Sequence, residues 1–130
     1  MSDPLSHLVA AADGLLVASE SDEPFAPFVW PGPGPLTPAA LVAHLGLPPD
    51  TPVELGDLDR FFGPRARERD WMSDQERADA ARFAALRDRF LDLLASPTVY
   101  RVGTVEIRVF IVGLSADASV VGLQTTVVET

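Results

Sequence analysis

Between Val99 and Thr130 hydrophobic and polar positions trade places in the manner of a sheet, and the pattern predicts three consecutive antiparallel strands. Val99 to Val102 is a short apolar run closed by Gly103. From Thr104 to Val112, the residues Val105, Ile107, Val109 and Ile111 alternate with Thr104, Glu106, Arg108 and Phe110. That is the period of two of a strand, whose successive side chains point to opposite faces. Gly113 ends this strand, Ser115 to Ala118 supply turn chemistry, and Val120 to Thr130 returns rich in β-branched residues. No polar tail follows the β pattern, so Thr130, with its hydroxyl and α-carboxylate, is expected to be held in a defined place.

Ahead of this sheet the spacing turns helical. Ser2 or Asp3 can cap a first helix, with Pro4 in the first turn where no backbone N–H is needed, and Leu5, Leu8, Val9 and Ala12 form its apolar stripe. Asp13-Gly14 is a stop, and Leu15-Leu16-Val17 fits either a strand or continued helix. Ser19 to Pro24 is polar and acidic and, taken alone, reads as a solvated loop. Phe25 to Trp30 reads as a strand that Pro27 confines to an edge or a bulge. Pro31 to Pro35 forms a stiff connection, after which Thr37 and Pro38 open a short helix carrying Leu41, Val42 and Leu45 and stopped at Gly46. Val53-Glu54-Leu55 can add a short strand, and Leu58, Phe61 and Phe62 look like the buried side of a helical turn from Asp57 to Phe62.

Arg65 to Trp71, following Gly63-Pro64, concentrates the positive charge of the chain and reads on its own as an exposed charged loop with Trp71 turned toward the core. Ser73-Asp74-Gln75-Glu76 matches a capping box, in which serine and glutamate satisfy each other's backbone N–H. A long helix from about Asp74 to Ala95 should follow, with Phe83, Leu86, Phe90, Leu93 and Leu94 inward and Arg82, Asp88, Arg89 and Asp92 outward. Ser96-Pro97 ends it. Helices precede a β meander, so the expected class is α+β. Apolar Phe110 and Val112 opposite Ile107 and Ile111 call for cover on both sheet faces, in a layered helix, sheet, helix arrangement.

Composition narrows the chemistry. A length of 130 residues suits one domain spanning 1–130. The chain has no cysteine, no basic N-terminal region and no apolar run near the ~18 residues a membrane span needs, which sets a soluble cytoplasmic protein as the expectation. Nineteen acidic residues face ten basic ones, all arginine, and the net charge of −9 repels phosphate backbones while favouring a basic protein partner. His7 and His44 lie far apart without metal-ligand spacing, and no nucleophile elbow, phosphate loop or dinucleotide fingerprint is present. The expectation is therefore not an enzyme. Acid/base chemistry by carboxylates such as Glu20 with Asp22 or Glu23 stays open as a hydrolase reading, which nothing in the spacing singles out.

Three separated segments carry a resemblance. They are Asp13-Gly14-Leu15-Leu16 with Ser19-Glu20-Ser21, Pro24-Phe25 and Trp30; Phe61-Phe62 with Asp70-Trp71; and Val99-Tyr100-Arg101 through Val105-Glu106 to Val127-Val128-Glu129-Thr130. Together they resemble the nuclease A inhibitor family, which blocks sugar-non-specific nucleases of the ββα-metal type. The resemblance implies a three-layer α-β-α sandwich around a mixed, mostly antiparallel sheet. It also implies a site: Glu20 stands in for the scissile phosphate, the Thr130 hydroxyl binds the nuclease's catalytic Mg²⁺, and Asp70 with Trp71 makes a second contact. No cofactor is implied for the free protein, which is expected to be monomeric and to bind neither nucleic acid nor membrane directly.

This implied site is chemically coherent. Mg²⁺ favours oxygen ligands and keeps exchangeable waters, one of which a hydroxyl can replace. A carboxylate matches the single charge of a phosphodiester without offering a bond to cleave, and a tryptophan supplies a large interface anchor. Arg65, Arg67 and Arg69 place opposing charge around the second contact. The alternative is an acidic interaction module that binds another basic protein without a metal bridge.

Overall fold

In a computed structural model describing residues 3–32 and 35–129, the order of elements is α1 (Pro4–Ala12), β1 (Leu16–Ala18), β2 (Asp22–Pro24), β3 (Ala26–Val29), α2 (Pro38–His44), β4 (Val53–Gly56), α3 (Leu58–Ala66), α4 (Asp74–Leu93), β5 (Ala95–Val102), β6 (Glu106–Leu114) and β7 (Val120–Val128). The fold is α+β. Ser2 as a possible cap, Pro33-Gly34 of the stiff connection and Thr130 lie outside the described residues.

Helix starts follow side-chain chemistry written into the sequence. Asp3 accepts from the Leu5 N–H, Thr37 from Ala40, Asp57 from Arg60, and Ser73 with Glu76 forms the full capping box of α4. The Gly63-Pro64 pair does not end α3, which continues to Ala66. Pro64 lies in the last turn, where its ring removes only the bond to the Arg60 carbonyl, and burial of Phe61 and Phe62 together with packing of Ala66 outweighs that loss. Val9 is exposed, so the α1 stripe is narrower than its spacing suggests.

The larger sheet runs β3-β7-β6-β5-β4, and every pairing in it is antiparallel. The three C-terminal strands form its centre. The first begins earlier than its apolar run, at Ala95, and takes Ser96-Pro97 in as a bulge with Ser96 at φ 50°. Val105, expected within a strand, sits in the turn before β6 and is exposed. Pro27 places β3 at an edge, and β4 forms the other edge. At the centre, a Cβ on Gly122 would run into the Ile111 carbonyl, so only glycine fits that crossing. The acidic segment after Val17 is an antiparallel hairpin, β1 with β2, rather than a plain loop.

Side-chain alternation divides the core in two. Val99, Ile107, Val109, Ile111, Leu123 and Val127 pack with Leu8 of α1, Phe61 and Phe62 of α3 and Phe83, Leu86 and Phe90 of α4. On the opposite face, Phe28, Tyr100, Val102, Phe110 and Val112 pack with Leu41 and Val42 of α2. Each such large apolar side chain contributes on the order of 1.5–3 kcal/mol by leaving water. Arg82, expected outside, instead donates to the Ala11 and Asp13 carbonyls (3.1 and 2.6 Å) and ties α4 to the end of α1. Those carbonyls have no partner within α1, so a guanidinium there satisfies what the helix terminus cannot. No helix among the described residues is long and apolar enough to cross a membrane.

Candidate functional site

Glu20 is the exposed middle residue of the three that join β1 to β2. Its turn is internally tied. The Ser19 N–H donates to the Ser21 carbonyl at 2.8 Å, the Ser19 hydroxyl donates to the same oxygen at 3.1 Å, and the Ser21 N–H donates weakly to Ser19 Oγ at 3.4 Å. Ser21 Oγ donates to Glu23 Oε1 (3.1 Å), which engages the neighbouring carboxylate. Among the described residues, the Glu20 carboxylate itself accepts no hydrogen bond and joins no ion pair. The turn therefore presents one free negative charge on an ordered backbone.

The same turn is bonded to the end of β7. The Glu20 N–H donates to the Val128 carbonyl (3.2 Å), and the Val128 N–H donates to Ser19 Oγ (3.0 Å). Two residues far apart in the chain, Glu20 and the one preceding Glu129, are thereby neighbours. Glu129 is held from the other side: its N–H donates to the Val105 carbonyl (2.8 Å) and its Oε1 accepts from Arg101 Nη2 (2.9 Å). Thr130, the residue expected to reach the metal, follows directly but lies outside the described residues.

Asp70 and Trp71 lie in the connection between α3 and α4. Trp71 is 71% exposed, contrary to the inward orientation its hydrophobicity suggests. Met72 turns in instead: it is half-buried and lines a groove with Leu16 and Ala18 of β1, Pro64 and Arg65 of α3, and Glu76, Asp79, Ala80 and Phe83 of α4. The hairpin and the Trp71 connection thus border one groove. Arg77 fixes the connection by donating to the Asp70 carbonyl (3.1 Å) and the Met72 carbonyl (3.3 Å).

Of the three arginines expected around this turn, Arg67 and Arg69 are exposed but Arg65 is drawn in. Its Nη1 donates to the Phe61 carbonyl (2.7 Å), and its guanidinium lies 4.3 Å from the Phe61 ring centroid. Burial pulls its pKa below the ordinary arginine value, Arg101 adds to that pull, and Glu129 opposes it. Sequence reading did not single out Ser19, Arg77 or Arg101 as holding the site. Ser19, Arg101 and Glu129 do lie within the resembling segments, but the bond of Ser19 to Val128 and the pairing of Arg101 with Glu129, 28 positions apart, have no local signal.

No group of three or more His, Cys, Asp or Glu that could hold a metal occurs among the described residues. The described residues thus present the unpaired Glu20 carboxylate and the exposed Trp71 indole on hydrogen-bonded turns of an α+β domain. The chain belongs to the nuclease A inhibitor-like protein family, whose model matches residues 2–130. No curated protein is significantly similar to it.

Proposed function

We propose that this protein inhibits a Mg²⁺-dependent, sugar-non-specific nuclease of the ββα-metal type by closing its active site. Glu20 takes the place of the scissile phosphate, the Thr130 hydroxyl becomes a ligand of the nuclease's Mg²⁺, and Asp70 with Trp71 anchors a second patch. The free protein acts without a cofactor of its own and is not a catalyst. The supporting observation is the pair of hydrogen bonds between the Ser19-Glu20 turn and Val128, which joins the turn carrying the free carboxylate to the strand that leads to Thr130. Family membership supports nuclease inhibition in general.

The chemistry is that of a substrate mimic that cannot react. A carboxylate in the phosphate pocket satisfies the cationic groups gathered there, and a hydroxyl oxygen suits Mg²⁺, which prefers hard oxygen donors and readily keeps water in its remaining positions. Within this chain, the turn bonds hold Glu20, and Arg101 together with Val105 holds Glu129. The order is present before binding, so less conformational entropy is lost on association.

The test is cleavage of plasmid DNA by such a nuclease in Mg²⁺ with rising amounts of this protein, its C-terminus untagged. Stoichiometric loss of cleavage is expected, and one residue appended after Thr130 should weaken it without lowering the melting temperature. Full inhibition by the extended protein would overturn the metal bridge. Inhibition that persists undiminished with the extension and with Glu20→Gln would move the assignment to a metal-independent acidic module.

A further inference from the structure

Trp71 presents an unusual arrangement for a large apolar side chain: it is 71% exposed, yet the backbone on either side of it is secured. An exposed indole on a short connection gains little from packing, so its placement depends on what holds the main chain. Three observations identify the holder. Arg77 Nη2 donates to the Asp70 carbonyl at 3.1 Å, Arg77 Nε donates to the Met72 carbonyl at 3.3 Å, and Arg77 Nη1 lies 3.8 Å from Glu68 Oε2. One guanidinium therefore spans the two carbonyls that flank Trp71 and reaches a carboxylate before the turn. Its own backbone is anchored in the first turn of α4, where the Arg77 N–H donates to the Ser73 carbonyl at 3.0 Å.

The fork geometry matters. A guanidinium carries several N–H donors in one rigid plane and can serve two acceptors at once, whereas an ammonium is a single point with no fixed spread. The Met72 N–H donates to the Arg69 carbonyl (3.1 Å), which closes the same turn from within. Met72 packs inward along the groove, and Trp71 is left facing solvent.

We infer that Arg77 is a positioning residue for nuclease binding: its guanidinium holds the Asp70 and Met72 carbonyls so that Trp71 is set in its docking orientation before the partner arrives. This rests on the reading of Trp71 as the second contact. Without the fork, the turn samples other conformations and the competent fraction falls. The apparent affinity falls by that fraction, and the loss appears in the association rate.

The experiment measures binding of the full chain to a Mg²⁺-loaded ββα-metal nuclease, in the absence of DNA, for the wild type, Arg77→Lys, Trp71→Ala and the double variant. Arg77→Lys should weaken binding roughly three- to tenfold, the range expected for ordering one large side chain on association, with most of the change in the on-rate. The melting temperature should stay near that of the wild type. In the Trp71→Ala background, Arg77→Lys should cost little more, because the group it positions is gone. A second measurement needs no nuclease: in protein labelled with 5-fluorotryptophan, the Trp71 fluorine resonance should broaden or move toward its unfolded shift in Arg77→Lys, while that of Trp30 stays in place.

Wild-type affinity for Arg77→Lys, or an equal loss with and without Trp71, would overturn the positioning role. An unchanged Trp71 resonance would do the same. If Trp71→Ala binds as the wild type does, the second contact itself is wrong and the inference falls with it. A loss of roughly 30-fold on Glu20→Gln in the same assay would then leave the phosphate-mimic reading standing, so the two failures are distinguishable.

Discussion

Replacing Glu20 by glutamine removes a charge and almost nothing else. The side chain is exposed and makes no hydrogen bond among the described residues, so folding stability should change by less than about 0.5 kcal/mol. Against a cationic phosphate pocket the same change removes the one group that mimics the substrate, and a central buried interface charge is worth about 2 kcal/mol or more, or roughly 30-fold in affinity. Titrating Glu20→Gln into the cleavage assay measures this, and inhibition equal to the wild type would exclude the phosphate-mimic role. Trp71→Ala should behave alike for a different reason. At 71% exposure the indole contributes little to the core, so the protein should melt almost unchanged while inhibition weakens by an order of magnitude or more. A large drop in melting temperature instead would mean that Trp71 packs inward in solution. Sequence alone leaves this orientation undecided, because Trp71 and Met72 are adjacent and either could turn toward the groove.

At the scale of elements, Ser19 is one of the links between the hairpin and β7: its hydroxyl accepts from the Val128 N–H and donates to the Ser21 carbonyl. Ser19→Ala leaves the Glu20-to-Val128 bond but removes its companion. The cost to stability should be about 1 kcal/mol, seen as a fall in melting temperature of a few degrees, since water can reach the exposed N–H. Inhibition should fall roughly tenfold, because one of the two bonds that tie the Glu20 turn to the strand leading to Thr130 is gone, and Ser19→Thr should restore it. Wild-type inhibition by the alanine variant would show that the bond has no part in binding. The sheet itself is legible in the sequence because Ile107, Val109 and Ile111 face one core and Phe110 and Val112 the other, so the alternation is enforced by burial on both sides. The capping box likewise announces α4 by local chemistry. Links such as Arg82 to Asp13, 69 residues apart, have no local signature and follow only from how the helices pack. The hairpin was hidden because its register is set by Leu16 opposite Pro24 and its tip is polar, a composition shared with ordinary loops.

Across the whole molecule, the arginines are largely spent on internal contacts. Arg60 pairs with Glu54, Arg65 lies over Phe61, Arg77 holds the Trp71 turn, Arg82 caps α1 and Arg101 pairs with Glu129. Arg67 and Arg69 differ: both are exposed close to Asp70 and Trp71, where they oppose a basic partner. The net charge of −9 should therefore accelerate encounter overall, while these two residues slow it locally. Exposed charges interact over a Debye length of ~10 Å at 0.1 M salt and ~3 Å at 1 M, so raising salt should lower the on-rate toward the unsteered ~10⁵–10⁶ M⁻¹s⁻¹ and leave the off-rate nearly fixed. Replacing Arg67 and Arg69 with glutamate makes the surface more acidic beside the second contact. The double variant should associate several-fold faster than the wild type at low salt and at the same rate at high salt, as measured by stopped-flow mixing with the nuclease. A slower double variant at low salt would show that the two arginines meet acidic groups on the partner, and the second contact would then owe its strength to charge pairing beside Trp71.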